Sequence, residues 1–354
     1  MATSGTVGTT VFVTQQVIDH AYRRMKMAAE LVSGEKIETA LENLWLILQV
    51  LSSKGIPIWR IETQILPFYQ GQVGVNPLIG TVEVLNANTR VLQRLTGIYT
   101  TDQGGDPENA FDGDLQTTFT QIAPDGSLTV DFQNQMTVMC FGLMPNVSGL
   151  WDFVYEVSDD GVTWETVLTY TDQAMVARRW QWVDVQITRW PSYQFARLRA
   201  TGGTTLDVIE WFIGNNPQAI PMAPLNKDDW FNLPNKSFQG RPVQFWQDMQ
   251  RDNPVLRVWP VPDFAANFYQ CEAQVHRMIE DVGEMSMQLD LPARWYDWIV
   301  DELAVKQARE DPDFKGDIKE LQAFAMESLK TAQGGITAKG PIYLQPNISV
   351  YTRG

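Results

Sequence analysis

The chain has 354 residues, 44% of them hydrophobic, and a formal charge of −15 from 27 Lys plus Arg against 42 Asp plus Glu. That length exceeds a single compact core, which usually takes roughly 100–150 residues, and 13 Trp, 16 Phe and 10 Tyr exclude a disordered or collagen-like chain. The acidic balance leaves no global field that would draw the protein onto nucleic acid or anionic lipid. Two cysteines, Cys140 and Cys271, and two histidines, His20 and His276, are too scattered for a zinc site or a disulfide scaffold. The start MATSGTVGTT has no basic, apolar leader pattern, and no apolar run reaches the ~18 residues of a membrane helix. A soluble protein of a reducing compartment, with no membrane partner, is expected.

From Thr14, read as a helix cap, Val17, Ile18, Ala21, Tyr22, Met25, Ala28 and Ala29 recur at helical spacing until Ser33-Gly34. A second helix is predicted from about Glu35 to Lys54, with Ile37, Leu41, Leu44, Trp45, Leu48 and Leu51 on one face, so the two form a helical hairpin. Period-two text follows at 59–65 and again in TVEVLNA. Between 97 and 216 no helical period appears. Short strands such as SLTVDF, FVYEVS, WVDVQI and FARLRA alternate with Gly, Asp and Asn turns, which predicts a β-sandwich. From Asp106 to Gly214 there are 5 Arg and no Lys against 15 Asp plus Glu, a local −10. Strand text returns in VLRVWPVP and NFYQCEAQVHRMI; helices are predicted from LPARW to about Pro312 and from Phe314 to Ala332, before an extended tail.

The flanking text resembles the head-to-tail adaptor (connector) proteins of short-tailed bacteriophages. It does so in the opening hairpin, GIPIWRIETQILPFYQGQ, LPNKSFQGRPVQFW, LRVWPVPD and LPARWYDWIVDELAVKQA, in that order. The resemblance implies a homo-oligomeric ring, usually a 12-mer, bound to the phage portal protein in the virion neck and receiving tail nozzle or tail fibre proteins. Phage DNA would pass through its channel without sequence-specific binding. The C-terminal segment would reach the portal, with Ile336, Ile342, Tyr343, Leu344 and Tyr351 as apolar anchors. Trp45, Leu48, Trp295 and Trp298 would make core or subunit contacts.

The middle segment resembles a discoidin-type (coagulation-factor C-type) β-sandwich in NAFDGDLQTTF, SLTVDF, YEVSDDGVTWETV, FARLRA and DVIEWFIG. Many such modules hold a structural calcium ion in the first of these loops, and Asp112, Asp114, the Thr117 carbonyl and Glu210 stand at the matching positions. An Asp-Gly-Asp sequence is equally a good solvated turn, so both readings stay open. Such modules also often bind sugars through loops at one end, and no sugar-binding residue is identifiable from the matching strands.

No phosphate loop, serine nucleophile elbow, HExxH or CxxC motif is present. Glu30, Glu35, Glu38 and Glu42 could be imagined as an acid/base pair, but their spacing marks the polar face of a helix. Trp180, Trp182, Trp295 and Trp298 could stack on bases, yet Arg178-Arg179 is the only basic pair beside them, and packing is the better reading. The expectation is a non-enzymatic α+β multidomain protein that requires no cofactor. Its parts are an N-terminal hairpin with the first β part (1–96), an inserted sandwich (97–216), a second β part with two C-terminal helices completing a helical bundle (217–334), and a tail (335–354). The function expected first is the adaptor; the alternative is a carbohydrate-binding module or adhesin centred on the sandwich.

Overall fold

The computed structural model describes residues 12–27, 32–53, 60–185, 192–250, 253–280 and 283–334. The five tail residues expected to anchor on a portal, and Glu30, lie outside them. Two compact units emerge, one from residues 1–61 and 278–354, the other from 62–277. The protein is mostly β, with a discoidin-like sandwich and a few helices.

The first unit is helical. It opens with α1 (Thr14–Arg24) and α2 (Gly34–Ser53). A short α3 (Lys227–Asn232) belongs to the other unit, and α4 (Tyr296–Glu310) and α5 (Ile318–Gly334) complete the helical set. Thr14 is not the cap but the first helical residue: its backbone N–H and hydroxyl both donate to the Met287 carbonyl, at 2.9 and 3.0 Å. The helix ends earlier than its apolar spacing suggests, with Lys26 in the left-handed region at φ 57°. Nor do α1 and α2 form a self-sufficient hairpin, since each packs chiefly on α4. The reason is that α4 buries residues on several faces, with Trp298, Ile299, Val300, Leu303, Ala304 and Val305 all in the core, so it takes the centre. Trp295 meets Trp298 edge to face at 5.6 Å. Around this core the Tyr22 hydroxyl donates to the Lys36 carbonyl at 2.7 Å, and Asn43 donates to Glu310 at 2.6 Å.

The second unit begins with β1 (Ile61–Pro67), β2 (Gly74–Val75) and the long β3 (Thr81–Arg94). The sandwich follows as β4 (Ile98–Thr101), β5 (Phe119–Thr120), β6 (Ser127–Met136), β7 (Cys140–Pro145), β8 (Gly149–Ser158), β9 (Glu165–Met175), β10 (Gln181–Asp184) and β11 (Tyr193–Ala200). The fifteen-residue β12 (Asp207–Pro221) leads out of it to β13 (Ala223–Pro224), α3, β14 (Gln239–Gly240), β15 (Gln244–Asp248), β16 (Val255–Trp259), β17 (Val261–Pro262) and β18 (Gln270–Arg277). One sheet runs β1-β18-β3-β12-β7-β10 with β5 also on β12; the facing layer is β4-β6-β11-β8-β9. A third sheet runs β13-β15-β16-β2, and β14 pairs with β17.

Trp211, buried completely, anchors the sandwich core beside Phe111 and Phe141, and Phe141 of one layer stacks on Tyr155 of the other at 4.4 Å. Trp182 of β10 can lie flat on β7 only because Gly142 has no side chain; a Cβ there would stand 2.2 Å from the ring. Of the expected boundaries, 97 falls in the short link between β3 and β4, whereas 216 falls inside the continuous strand β12. β12 pairs with β7 through Gly214 and then with β3 from Gly214 onward, so the flanking β text joins the sandwich rather than the helices. Chain entry and exit lie side by side, with the Leu95 N–H donating to the Ile213 carbonyl at 2.8 Å.

Candidate functional site

Because the chain enters and leaves the sandwich beside Leu95 and Ile213, the strand directions fix which loops gather at the opposite end. β4 leads away from the entry to the loop at 102–106. The antiparallel pairings of β6, β11, β8, β9 and β12 bring the turns at 121–126, 146–148, 176–180 and 201–206 to the same end. Carboxylates brace this end internally. Asp102 accepts from the backbone N–H and hydroxyl of Ser127 at 2.6 and 2.9 Å, and Asp125 accepts from the Gly203 N–H at 2.7 Å. Asp152 accepts from the Asp172 N–H at 2.6 Å, and Asp207 holds the Asn146 amide and the Thr120 hydroxyl. Asp102 and Asp125 accept backbone donors that have no strand partner, Asp152 accepts one at the register shift of β9, and Asp207 ties side chains of two neighbouring segments together. Between these braced turns, large apolar side chains stand in solvent: Ile122 is 81% exposed and Leu150 67%, with Val147 and Val176 also exposed. A rim of fixed polar backbone around isolated apolar side chains is a surface that can receive a ligand with both hydroxyls and C–H faces.

The residues expected to hold calcium are brought near one another but face different tasks. Asp112 accepts from the Asp114 N–H and the Thr117 hydroxyl, at 2.7 and 2.8 Å, and Asp114 accepts from the Gln116 N–H at 2.9 Å. Glu210, with no exposed surface, accepts from the Gly113 N–H at 3.1 Å and is paired with Arg94. Burial pushes the Glu210 carboxyl up to about 7, against the pull of Arg94 and with a further push from Asp112. The Arg94 guanidinium is itself packed over the rings of Phe212 and Phe268, 5.6 and 5.7 Å from their centroids. Among the described residues no three His, Cys, Asp or Glu side chains converge as a metal-ligating group. The donors as arranged do not fit a calcium ion, because Arg94 already supplies the positive charge at Glu210.

Sequence reading missed this arginine, although a glutamate in the middle of the apolar run VIEWFIG is a signal that a buried cation must sit opposite it. It also missed a buried carboxylate in the facing layer. Glu156 is held between Arg197 and Arg199, at 2.6 and 2.8 Å, and the outer face of Arg197 lies 3.9 Å from the Trp164 ring.

The remaining candidate residues separate cleanly. Trp180 stacks on Trp182 at 4.6 Å, with Phe212 and Phe268 against them, and Trp180 is buried. Their neighbours are engaged, Arg179 over the Tyr69 ring and Arg178 donating to the Leu115 carbonyl. In the helical unit Leu48, Trp295 and Trp298 are core residues, whereas Trp45 is 43% exposed. Glu35, Glu38 and Glu42 are all exposed along α2. Both thiols, Cys140 and Cys271, are buried and pushed up to about 12 by that burial, so neither is poised as a nucleophile. No helix is long and apolar enough to cross a membrane among the described residues.

Residues 94–208 match the F5/8 type C domain family, less than half of the chain. Among solved structures, the chain is similar to a chitosan-binding module from a Paenibacillus sp. IK-5 chitosanase/glucanase, with 18% identity, 35% of this chain and 99% of that one covered, and a TM-score of 0.30. It is similar also to a carbohydrate-binding module, CBM32-1, of a family 31 glycoside hydrolase from Clostridium perfringens, with 20% identity, 35% and 99% coverage and a TM-score of 0.30. A third is CBM62 of Clostridium thermocellum Xyl5A, with 21% identity, 35% and 98% coverage and a TM-score of 0.31. The comparison with curated proteins gives no match.

Proposed function

We propose that the sandwich is a carbohydrate-binding module and that its loop end, opposite the chain entry, receives the sugar. The observation that carries this reading is the F5/8 type C match over residues 94–208. The arrangement of Ile122, Leu150 and Val176 between carboxylate-braced turns supports the placement, since a pyranose offers hydroxyls to fixed backbone groups and C–H faces to apolar side chains. The side-by-side entry and exit at Leu95 and Ile213 let the module project its loops from one sheet. In this reading the chain performs no catalysis and requires no cofactor. A glycan array probed with the purified chain tests it: saturable binding to a defined glycan, weakened by Ile122→Asp with Leu150→Asp, is expected, and background signal throughout would remove it.

A second reading concerns the helical unit. We propose that it assembles copies of the chain into the ring of a phage head-to-tail adaptor, on a portal protein, in the virion. The observation favouring it is an apolar stripe on α2, where Trp45 and Leu46 remain 43% and 44% exposed beside Leu41. Electron-microscopy class averages of the chain, alone and with a portal protein, would show a ring with a central channel; monomers in both samples would sink this second reading and leave the first standing.

A further inference from the structure

A pocket outside residues 94–208 has a lining no function above uses. In β15 and β16, Phe245, Leu256 and Val258 point into the core, so by strand alternation Trp246, Asp248 and Arg257 stand on the opposite face. Trp246 and Arg257 are direct cross-strand partners. Over this face α3 lays two more rings, Trp230 at 5.8 Å and Phe231 at 5.9 Å from Trp246. The result is an open pocket of about 720 Å³, within the ~300–1,000 Å³ range of small-molecule sites.

Its chemistry departs from the rest of the molecule. The chain carries −15, yet this lining holds Lys227, Lys236 and Arg257 against the single carboxylate Asp248. Two of these cations are committed: Lys236 donates to the carbonyls of Phe231 and Leu233, and Arg257 donates through Nε and Nη2 to Asp248 at 3.3 and 3.0 Å. Lys227 has no hydrogen-bond or ion-pair partner among the described residues. Phe231, 59% exposed, forms an outer wall, and Trp230, buried, forms the floor. The rings are inclined to Trp246 by 32° and 63°, which makes a concave apolar wall and not the parallel slot a planar base would need.

We propose that this pocket binds an acidic sugar, a pyranose bearing a carboxylate. Its C–H face packs on Trp246 and Phe231, its ring hydroxyls bond to the Asp248–Arg257 pair, which offers acceptor and donor together, and its carboxylate pairs with Lys227. This site is independent of the sandwich's loop end.

The test is calorimetric titration of the full chain with digalacturonate, with the neutral digalactoside and with adenosine monophosphate, alongside saturation-transfer NMR on the bound sugar. Saturable binding of digalacturonate, at least tenfold tighter than of the neutral disaccharide, is expected, with saturation strongest on the ring C–H protons. Lys227→Gln, a change at an exposed and unpartnered side chain, is expected to abolish the preference for the acidic sugar. Trp246→Phe should keep binding that Trp246→Ala loses, and Ile122→Asp should leave it untouched. The proposal is overturned by no heat with digalacturonate, by affinities indifferent to Lys227→Gln, or by tighter binding of the nucleotide than of the sugar.

Discussion

The two units leave different surfaces unfinished. In the helical unit, exposed large apolar side chains follow the helices: Trp45, Leu46 and Val50 on α2, Phe324 and Met326 on α5. In the β unit Ile122 stands on a turn and Leu150 at the start of β8, at an end of the sandwich whose backbone is braced by carboxylates such as Asp102 and Asp152. A stripe along a helix is broad and regular, which suits another protein surface. Separate apolar tips among fixed polar groups suit a small, hydroxyl-rich ligand. The difference teaches that a half-exposed tryptophan and an exposed isoleucine in one chain need not report the same kind of partner.

The comparison depends on the units having separate cores, and the largest expected effects test that. Trp211→Ala empties the middle of the sandwich and Trp298→Ala the middle of the helical core, each at a cost of about 3–5 kcal/mol. Urea unfolding followed by far-ultraviolet circular dichroism should resolve a helical and a β transition, each moved by only one of the two substitutions. A single transition lowered equally by both would end the division.

Next in size is Glu156→Gln, which leaves Arg197 and Arg199 facing each other across a position that was an ion pair. Those arginines are partly solvated, so the expected cost is about 1–3 kcal/mol, on the β transition alone.

A smaller effect separates the two buried carboxylates by pH. Burial alone would raise the Glu156 carboxyl, but its bonds to Arg199 and Arg197 prevail and hold it below its usual range. Its contribution to stability is therefore present at neutral pH and lost as pH falls through the carboxylate range. Glu210 has one arginine and deeper burial, and its carboxyl rises from 4.5 to about 7. Its contribution is full below pH 4.5 and declines as pH rises through about 7. Melting curves across that window should show Glu210→Gln flattening the decline, while Glu156→Gln flattens the loss on the acid side. The reverse assignment would contradict the ion-pair geometry. Calcium added to the native chain should leave the melting temperature unchanged, because Arg94 holds Glu210; a calcium-dependent rise abolished by Asp112→Asn would show that the ion displaces the arginine.

Smallest of all is Arg24→Gln in the helical unit. Arg24 is half-exposed and pairs with the exposed Asp297 and with the buried Asp301, which keeps its other partners in the helical core, so its loss should cost about 1 kcal/mol.

Much of this architecture is legible in the residues. Period-two text gave the sandwich strands, and the helical spacing of Leu44, Leu48 and Leu51 gave the buried face of α2. What failed did so for physical reasons. The centre of the helical unit is α4, whose buried residues lie on several faces, and no local pattern says which helix will be central. QFWQD and DDWFN are each too short to show a period, yet tertiary contacts make them β15 and the body of α3. The Arg94–Glu210 pair joins residues more than a hundred positions apart, a distance over which spacing carries no information. The carboxylates at 102, 125, 152 and 207 read as solvated turn residues; only the sheet pairing reveals that they brace one common end.

The most direct test of the account is a glycan array read with the intact chain and with the Ile122→Asp, Leu150→Asp variant. Saturable binding to a glycan by the intact chain is expected, with its loss in the variant while the β transition stays in place. Binding equal in both proteins, or no binding in either, would contradict a sugar site at the loop end of the sandwich.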